Sequence, residues 1–273
     1  MANGTVLTVK EGMLHGIEEL GRFARFFWDS AATSARSCLK HEIYPLIISQ
    51  MNIIGVRSMP VIMITGAFVG MTLAIQAYDQ LAGMGLEEHL GVLINVSVVK
   101  ELGPVLAAVM LAGRIGGALT AELGTMHVTE QIDAVRSMGT DPVEYLVVPR
   151  LLACLILTPL LIIYADLMGI LGGYFISVIQ LGINSQAYWS FSAYGVDFWD
   201  IGVGVVKGFF FGVAIAAISC YKGFTCREGA KGVGQACTEA FVASFIAILV
   251  MDYVLAVIST GIYNMFWPVK SLV

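Results

Sequence analysis

Long apolar runs alternate with short polar links along this chain, and the alternation predicts membrane-spanning helices. The five runs lie near residues 58–78, 90–122, 149–181, 199–221 and 240–266. Each is long enough to supply the ~20 residues that a helix needs to cross a bilayer. The second run is longer than that, so we expect it to tilt, to break near Gly103-Pro104 or to protrude.

Residues 11–40 precede these runs and have the pattern of an amphipathic helix. One face carries the apolar side chains Leu14, Ile17, Leu20, Ala24, Phe27, Trp28 and Ala31. The other face carries Glu18, Arg22, Arg25 and Asp29, so this helix is too charged to span a bilayer. We expect it to lie in the cytoplasmic interface, and a soluble helix packed on a partner is the alternative. A further apolar stretch, residues 43–54, predicts a second interfacial or partly inserted helix.

The pattern therefore predicts an all-α integral membrane fold in two parts. Residues 1–57 form an N-terminal cytoplasmic or interfacial helical segment, and residues 58–273 form one domain of five transmembrane helices. The link near residues 182–198 is rich in Tyr, Trp and Phe, which is typical of a loop at a membrane interface.

A polar amphipathic segment, residues 125–145, separates the second and third runs. Its apolar side chains recur at helical spacing, at Val128, Ile132, Val135 and Met138. We expect Thr129 to cap the start of this helix, and Gly139 with Asp141-Pro142 to end it. Two interpretations fit: a helix resting on the membrane surface, or a helix that docks into a partner protein.

Basic residues predict the orientation of the chain. They precede the first run and occupy the second-to-third and fourth-to-fifth links, whereas the links at 79–91 and 182–198 have none. Because basic links stay on the cytoplasmic side, the N-terminus is predicted to be cytoplasmic and the C-terminus to lie outside. Lys270 is the one exception to this pattern.

Several charged residues fall inside or beside the apolar runs, namely Lys100, Glu101, Arg114, Asp166, Lys207 and Asp252. A charge facing lipid at the centre of a helix costs roughly 2.5–3.5 kcal/mol on insertion scales, so these side chains should face protein or a wet cavity. We expect Arg114 to pair with Asp166 or Asp252. Lys100 and Lys207 lie at similar depth toward the outer side, which suits either an anionic headgroup or pairing between helices.

Small residues repeat at four-residue intervals in four of the runs, as at Gly66 and Gly70 or at Gly204, Gly208 and Gly212. Such stripes let membrane helices approach closely. We interpret most of them as intramolecular packing surfaces, with homodimer contact as the explanation for one or two.

Composition narrows the function. The chain is 58% hydrophobic and 13% charged with a net charge of −5, which argues against nucleic acid as a partner. No secretory signal peptide, metal-ligand spacing, hydrolase motif or P-loop is visible, so we expect no metal, no cofactor and no catalytic residues. The five cysteines are interpreted as small packing residues.

One long stretch resembles a known family. The run ELGP…AGR…TAELGTM…TEQIDA…MG.DP..YLV.PR, together with GAFVGMTLAIQAY and GFTCREGAKGVGQA, is similar to the MlaE/YrbE permeases of MCE-type lipid-transport systems. The resemblance covers about residues 40–266. Cys237 stands where the family pattern suggests Thr.

The resemblance implies a permease subunit of an ABC transporter, working as a homodimer in the bacterial inner membrane. A separate ATPase would bind on the cytoplasmic side, and an MCE-domain protein on the periplasmic side. In many such systems a STAS-domain subunit lies below. The cargo would be phospholipid moved between inner and outer membranes, and the permease itself would not be an enzyme.

The resemblance also implies two sets of site residues. Lipid would meet Ile75, Gln76, Tyr78, Lys100, Glu101 and Lys207. The cytoplasmic coupling helix, between the second and third spans, would contact the ATPase through Thr129, Glu130, Gln131, Asp133, Arg136, Met138, Asp141 and Tyr145.

Two other classes of protein compete with this interpretation. A secondary transporter could use Lys100, Glu101, Asp166 and Asp252 as an intramembrane charge relay, although five spans do not divide into inverted repeats. A membrane scaffold would have no transport activity of its own.

Overall fold

A computed structural model describes the backbone of residues 2–37 and 43–266, with side chains from residue 18 onward. This part of the chain is helical throughout, with short turns between helices. The helices are α1 (Ala2–Ser37), α2 (Tyr44–Met51), α3 (Met59–Ala82), α4 (Leu90–Ser97), α5 (Gly103–Leu111), α6 (Gly117–Val128), α7 (Gln131–Ser137), α8 (Val148–Tyr174), α9 (Ser185–Gly195), α10 (Phe198–Phe224) and α11 (Gly229–Phe266).

The predicted five spans are confirmed within the described residues. Five helical stretches are long and apolar enough to cross a membrane: Tyr44–Ala82, Glu87–Val128, Val143–Gln180, Phe198–Phe224 and Gly229–Phe266. The first begins earlier than expected, because α2 continues through a π-helical turn, Asn52–Val56, almost directly into α3. The predicted division between residues 57 and 58 falls at the two-residue turn that joins them.

The links gather at two opposite ends of the bundle. At one end, Phe26 of α1 packs on Phe224, with ring centroids 5.9 Å apart, and Ser37 donates a 2.8 Å hydrogen bond to Glu144. At the other end, His89 stacks on Phe191 of α9 at 4.4 Å. The segments predicted to be cytoplasmic therefore share one end, as expected when each span crosses the membrane once.

The link between the third and fourth spans is a helix, and not the loop that its aromatic composition suggested. Asn184 begins α9 by accepting a hydrogen bond from the Gln186 amide at 2.8 Å. Tyr188 and Ser192 then bind Asn95 of α4 through buried hydrogen bonds of 3.2 Å and 2.9 Å. Burial raises the pKa of the Tyr188 phenol to about 12, so it stays a donor at every physiological pH.

The face of α1 that packs on the protein differs from the predicted apolar face. Phe23 and Phe26 pack on Tyr221, while Leu20 and Trp28 are exposed. Helical spacing could not reveal this, because α1 has apolar side chains around much of its circumference. The exposed Leu20 and Trp28 suit the predicted place in a membrane interface.

Close helix contacts account for most of the small-residue stripes. In α3 and α8, a Cβ added at Gly66, Gly70 or Gly172 would collide with the backbone of the other helix. On α10, Gly208 and Gly212 lie against Pro159 and Cys154 of α8 in the same way. The interpretation of these stripes as intramolecular is confirmed, and they place α8 at the centre of the bundle.

Candidate functional site

The second span changes its helical form at the residues expected to meet lipid. A π-helical turn, Val98–Leu102, ends at Gly103, and α5 starts with Pro104 at its second position. The helical stretch Glu87–Val128 is otherwise continuous, so the predicted interruption near Gly103-Pro104 takes the form of this change from π- to α-helical hydrogen bonding, which we call the break. Lys100 and Glu101 lie within the π-helical turn itself.

A cluster of charged side chains surrounds this break. Lys207 of α10 lies 2.6 Å from Glu101 and 2.8 Å from Asp252 of α11. The Asp252 contact is an ion pair whose angle does not meet hydrogen-bond geometry. Lys100 pairs with Asp200 at 3.5 Å. These pairs join the second, fourth and fifth spans at one depth, as the sequence positions of Lys100 and Lys207 suggested.

The members of the cluster differ sharply in exposure. The Lys207 side chain is 1% exposed, whereas those of Lys100 and Glu101 are 38% and 42% exposed. The side chains of Lys100 and Glu101 are therefore accessible, whereas the Lys207 side chain is enclosed by protein. Since both an ammonium and a carboxylate are accessible, a group with separated charges fits best.

The predicted pairing of Arg114 is wrong. Asp252 pairs with Lys207, and no described residue forms an ion pair with Arg114, whose Nη1 is buried without a hydrogen-bond partner. Asp166 lies against Gly103, and its Oδ1 also lacks a donor. The pattern of charges along the sequence could not predict these neighbours because it does not fix how each helix is rotated.

Asp200 was missed by the sequence interpretation, although a local signal was present. Asp197 and Asp200 form a capping box at the start of α10, in which Asp200 accepts from the Asp197 amide at 3.2 Å. The cap holds the Asp200 carboxylate in a buried position beside Lys100. An acid three residues after a capping Asp marks such a position.

The first span supplies an apolar surface next to the second. Ile75 and Gln76 are exposed on α3, and Tyr78 is half-buried against the cluster around Ala74 and Ala77. Lower on the same helix lies a groove of about 470 Å³, within the ~300–1,000 Å³ usual for ligand pockets. It is lined by Ile64, Thr65, Phe68, Val69, Thr72, Leu73 and Leu102. Among the described residues, no hydrogen bond or ion pair joins Gln76 or Tyr78 to the charged cluster.

The predicted coupling segment contains a short exposed helix. Its core anchor is Ile132, which is buried with Leu123 and Leu146. Gly139, with a φ of 78°, ends α7, and Asp141 accepts from the Val143 amide at 2.9 Å, as expected. Met138, the last of the regularly spaced apolar side chains, is 81% exposed. The exposed set comprises Thr129, Glu130, Gln131, Asp133, Arg136, Met138, Asp141 and Tyr145.

The start of this helix also differs from the prediction. Thr129 ends α6 by donating back to the Thr125 carbonyl at 2.8 Å, so it does not cap α7. Glu130 takes the N-cap position with a φ of 60°, a conformation rare for residues other than glycine, asparagine or aspartate. Such strain often accompanies functional sites.

An ion pair between a buried arginine and a half-exposed glutamate lies at the base of the segment. Arg150, at the start of α8, donates to Glu122 of α6 at 2.7 Å and to the Leu146 carbonyl at 2.6 Å. The sequence interpretation counted Arg150 only as a basic residue of a cytoplasmic link, but its side chain is buried. The pair clamps the two ends of the exposed segment together.

Known proteins are similar in sequence to this chain over most of its length. The family model described as Permease MlaE matches residues 47–258. The chain belongs to the MlaE permease family. The stretches that carried the resemblance, including the broken second span and the exposed segment, lie inside the match.

Named relatives are similar to this chain over comparable or greater lengths. A protein of Rickettsia felis described as a probable ABC transporter permease protein is 41% identical over 239 residues, covering 87% of this chain and 91% of that protein. The intermembrane phospholipid transport system permease protein MlaE of Haemophilus influenzae is 37% identical over 243 residues, 89% and 92% of the two chains. The chloroplastic protein TRIGALACTOSYLDIACYLGLYCEROL 1 of Arabidopsis thaliana is 35% identical over 209 residues, 77% and 60% of the two.

Proposed function

We propose that this MlaE-family permease moves phospholipid between the inner and outer membranes as the membrane subunit of an ABC transporter. The observation that carries the proposal is the pairing of an apolar surface on α3 with the half-exposed Lys100 and Glu101 at the break in the second span. A phospholipid needs both an apolar groove for its tails and polar groups for its head. The phospholipid transport permease of Haemophilus influenzae supports the same cargo.

We propose that Ile75, Gln76, Tyr78, Lys100 and Glu101 contact the lipid. Lys100 attracts the phosphate as a point charge, and Glu101 contacts an amine or orients its neighbours. Lys207 was predicted to contact the headgroup, and in the structure its ammonium already has partners within the protein. Its proposed part in the lipid site is therefore to support Glu101 from behind.

The partners follow from the family and from the exposed segment. We propose a homodimer, a separate ATPase that binds the coupling helix α7, an MCE-domain protein on the periplasmic side and, in some assemblies, a STAS-domain subunit. The exposed side chains of Glu130, Asp133 and Met138 support the ATPase contact. ATP hydrolysis would belong to the ATPase subunit. Mass measurement of the purified complex tests this composition, and a monomer without an ATPase contradicts it.

The proposed orientation places α1 and α7 in the cytoplasm and α9 on the periplasmic side. In a cysteine-free variant of the chain, a membrane-impermeant thiol reagent added outside should label Glu88→Cys and Gln186→Cys. The same reagent should not label Thr140→Cys or Gly229→Cys until the membrane is permeabilised. All four residues are exposed, so burial does not explain a failure to react. Labelling of Thr140→Cys from outside would show that the orientation is the opposite of the one proposed.

Reconstitution distinguishes lipid transport from the competing functions. The permease should copurify with an ATPase, and phospholipid should stimulate ATP turnover in the reconstituted complex. A secondary transporter would instead respond to an ion gradient without ATP, and a scaffold would respond to neither. The proposed charge relay also has less support, because Asp166 forms no ion pair with the other charged residues of the described chain.

A further inference from the structure

The break in the second span leaves a backbone carbonyl group that needs a donor. In an α-helix the Lys100 carbonyl accepts from the amide of residue 104, and Pro104 has no amide hydrogen. Water cannot replace that donor within the hydrocarbon of a bilayer, where an unsatisfied backbone group is costly. A donor on another helix can satisfy this carbonyl.

Lys207 of α10 provides that donor. Its ammonium donates to the Lys100 carbonyl at 3.2 Å and to Glu101 Oε2 at 2.6 Å, and Asp252 Oδ1 lies at 2.8 Å. An ammonium has three hydrogens, and here three oxygens surround it. The side chain is almost fully buried, and two of its hydrogens are used in the bonds to the Lys100 carbonyl and Glu101.

The sequence of α10 is suited to this close approach. Gly204, one turn before Lys207, faces the break, where an added Cβ would lie 3.0 Å from the Val99 carbonyl oxygen and 3.4 Å from Pro104 Cγ. A larger residue would require the neighbouring atoms to move by a few tenths of an ångström. The glycine and the lysine together bring one ammonium to the position of the missing amide.

We propose that Lys207 is a positioning residue that takes the place of the amide missing at Pro104. It holds the break in one geometry and holds the Glu101 carboxylate in its half-exposed position. The second part rests on the proposed lipid function, and the first part does not. If Lys207 served only as the ion-pair partner of Glu101 and Asp252, its contribution to stability would not depend on whether residue 104 is proline.

A double-mutant cycle on the full-length permease in lipid nanodiscs tests the first part. Lys207→Met removes the ammonium but keeps the stem, and should lower the Tm by roughly 10 °C, as expected for one broken buried charge network. Pro104→Ala restores an amide that can satisfy the Lys100 carbonyl. In that background Lys207→Met should lower the Tm by about half as much. An equal loss in both backgrounds overturns the proposal.

Lys222 offers a matched control. It also joins two acids on different helices, Glu19 at 2.7 Å and Glu239 at 3.1 Å, and no backbone carbonyl is among these partners. Lys222→Met should therefore cost the same Tm with or without Pro104→Ala. If it couples to residue 104 as strongly as Lys207 does, the coupling is a general effect of the proline and the proposal fails.

Two further measurements keep the test decisive where Pro104→Ala does not fold. Pro104→Gly restores the same amide with a different helix propensity. Hydrogen exchange of residues 98–108 in the otherwise unchanged chain should become faster with Lys207→Met and not with Lys222→Met. Unchanged exchange in that segment overturns the proposal. These readouts use neither ATP nor transported lipid, so they are independent of the proposed function.

A separate measurement tests whether Lys207 positions Glu101 for lipid binding. In the reconstituted complex, Pro104→Ala with Lys207→Met should need several-fold more phospholipid than Pro104→Ala alone for half-maximal ATPase stimulation. Glu101→Gln in the Pro104→Ala background should cause a similar shift. An unchanged half-maximal concentration shows that Lys207 stabilises the break without serving the lipid site.

Discussion

Charge reversal on the coupling helix, Glu130→Lys with Asp133→Lys, should abolish most lipid transport while leaving the permease folded and inserted. Both side chains are exposed, and the ion pair between Asp133 and Arg136 at 3.6 Å is a surface contact of little energetic value. Two new positive charges would oppose a partner surface that accepts acids. Transport per ATPase should fall by at least ~10-fold, the equivalent of about 1.4 kcal/mol.

A reversal at the same end of the bundle provides the control. Asp29→Lys with Glu228→Lys also replaces two exposed acids, one on α1 and one in the link before α11. This variant should retain ATPase association and transport. The measurements are copurification of the ATPase, its turnover and lipid transfer between vesicles. If the Glu130 and Asp133 variant keeps all three, α7 is a surface helix with no coupling role.

Lipid should be captured by photocrosslinking residues placed at Ile75, Tyr78 and Lys100, and neutralising Lys100 should weaken transport more than assembly. Lys100→Gln loses one ion pair with Asp200, and its side chain is already 38% exposed. We therefore expect a small loss of stability, about 1 kcal/mol, and a transport loss of ~10-fold or more. The difference arises because the exposed ammonium is available to a phosphate group.

A control crosslinker at another exposed position distinguishes specific capture from contact with lipid of the surrounding bilayer. Leu160 of α8 is as accessible as Ile75, and a crosslinker there should capture lipid in the bilayer but not in complexes purified in detergent. Capture at Ile75, Tyr78 and Lys100 should survive purification. Loss of the folded dimer in Lys100→Gln, with lipid capture undiminished in the remaining protein, would show that Lys100 is structural and that the headgroup is bound elsewhere.

The candidate site illustrates which contacts a sequence can predict. Pro104 beside Gly103 indicated the break, and the similar depth of Lys100 and Lys207 indicated that their helices meet there. The partners of these lysines could not be predicted from the sequence. Glu101 and Lys207 are 106 residues apart, and Asp200 acts both as a helix cap and as the counter-ion of Lys100. Pairing across such distances depends on helix rotation, which apolar runs leave open because every face of a membrane helix can be apolar.

The sequence by itself determined the five spans, the polar segment between the second and third, and the ends at which the links gather. A long apolar run is stable in a bilayer as a helix, because a helix satisfies its own backbone hydrogen bonds. These features therefore follow from the order of apolar and polar residues along the chain. The tertiary structure decided which face of α1 packs, that α9 is a helix, and that Lys207 rather than Arg114 pairs with Asp252. These outcomes depend on close contacts between glycine-lined helices, and their geometry exists only once the helices have packed.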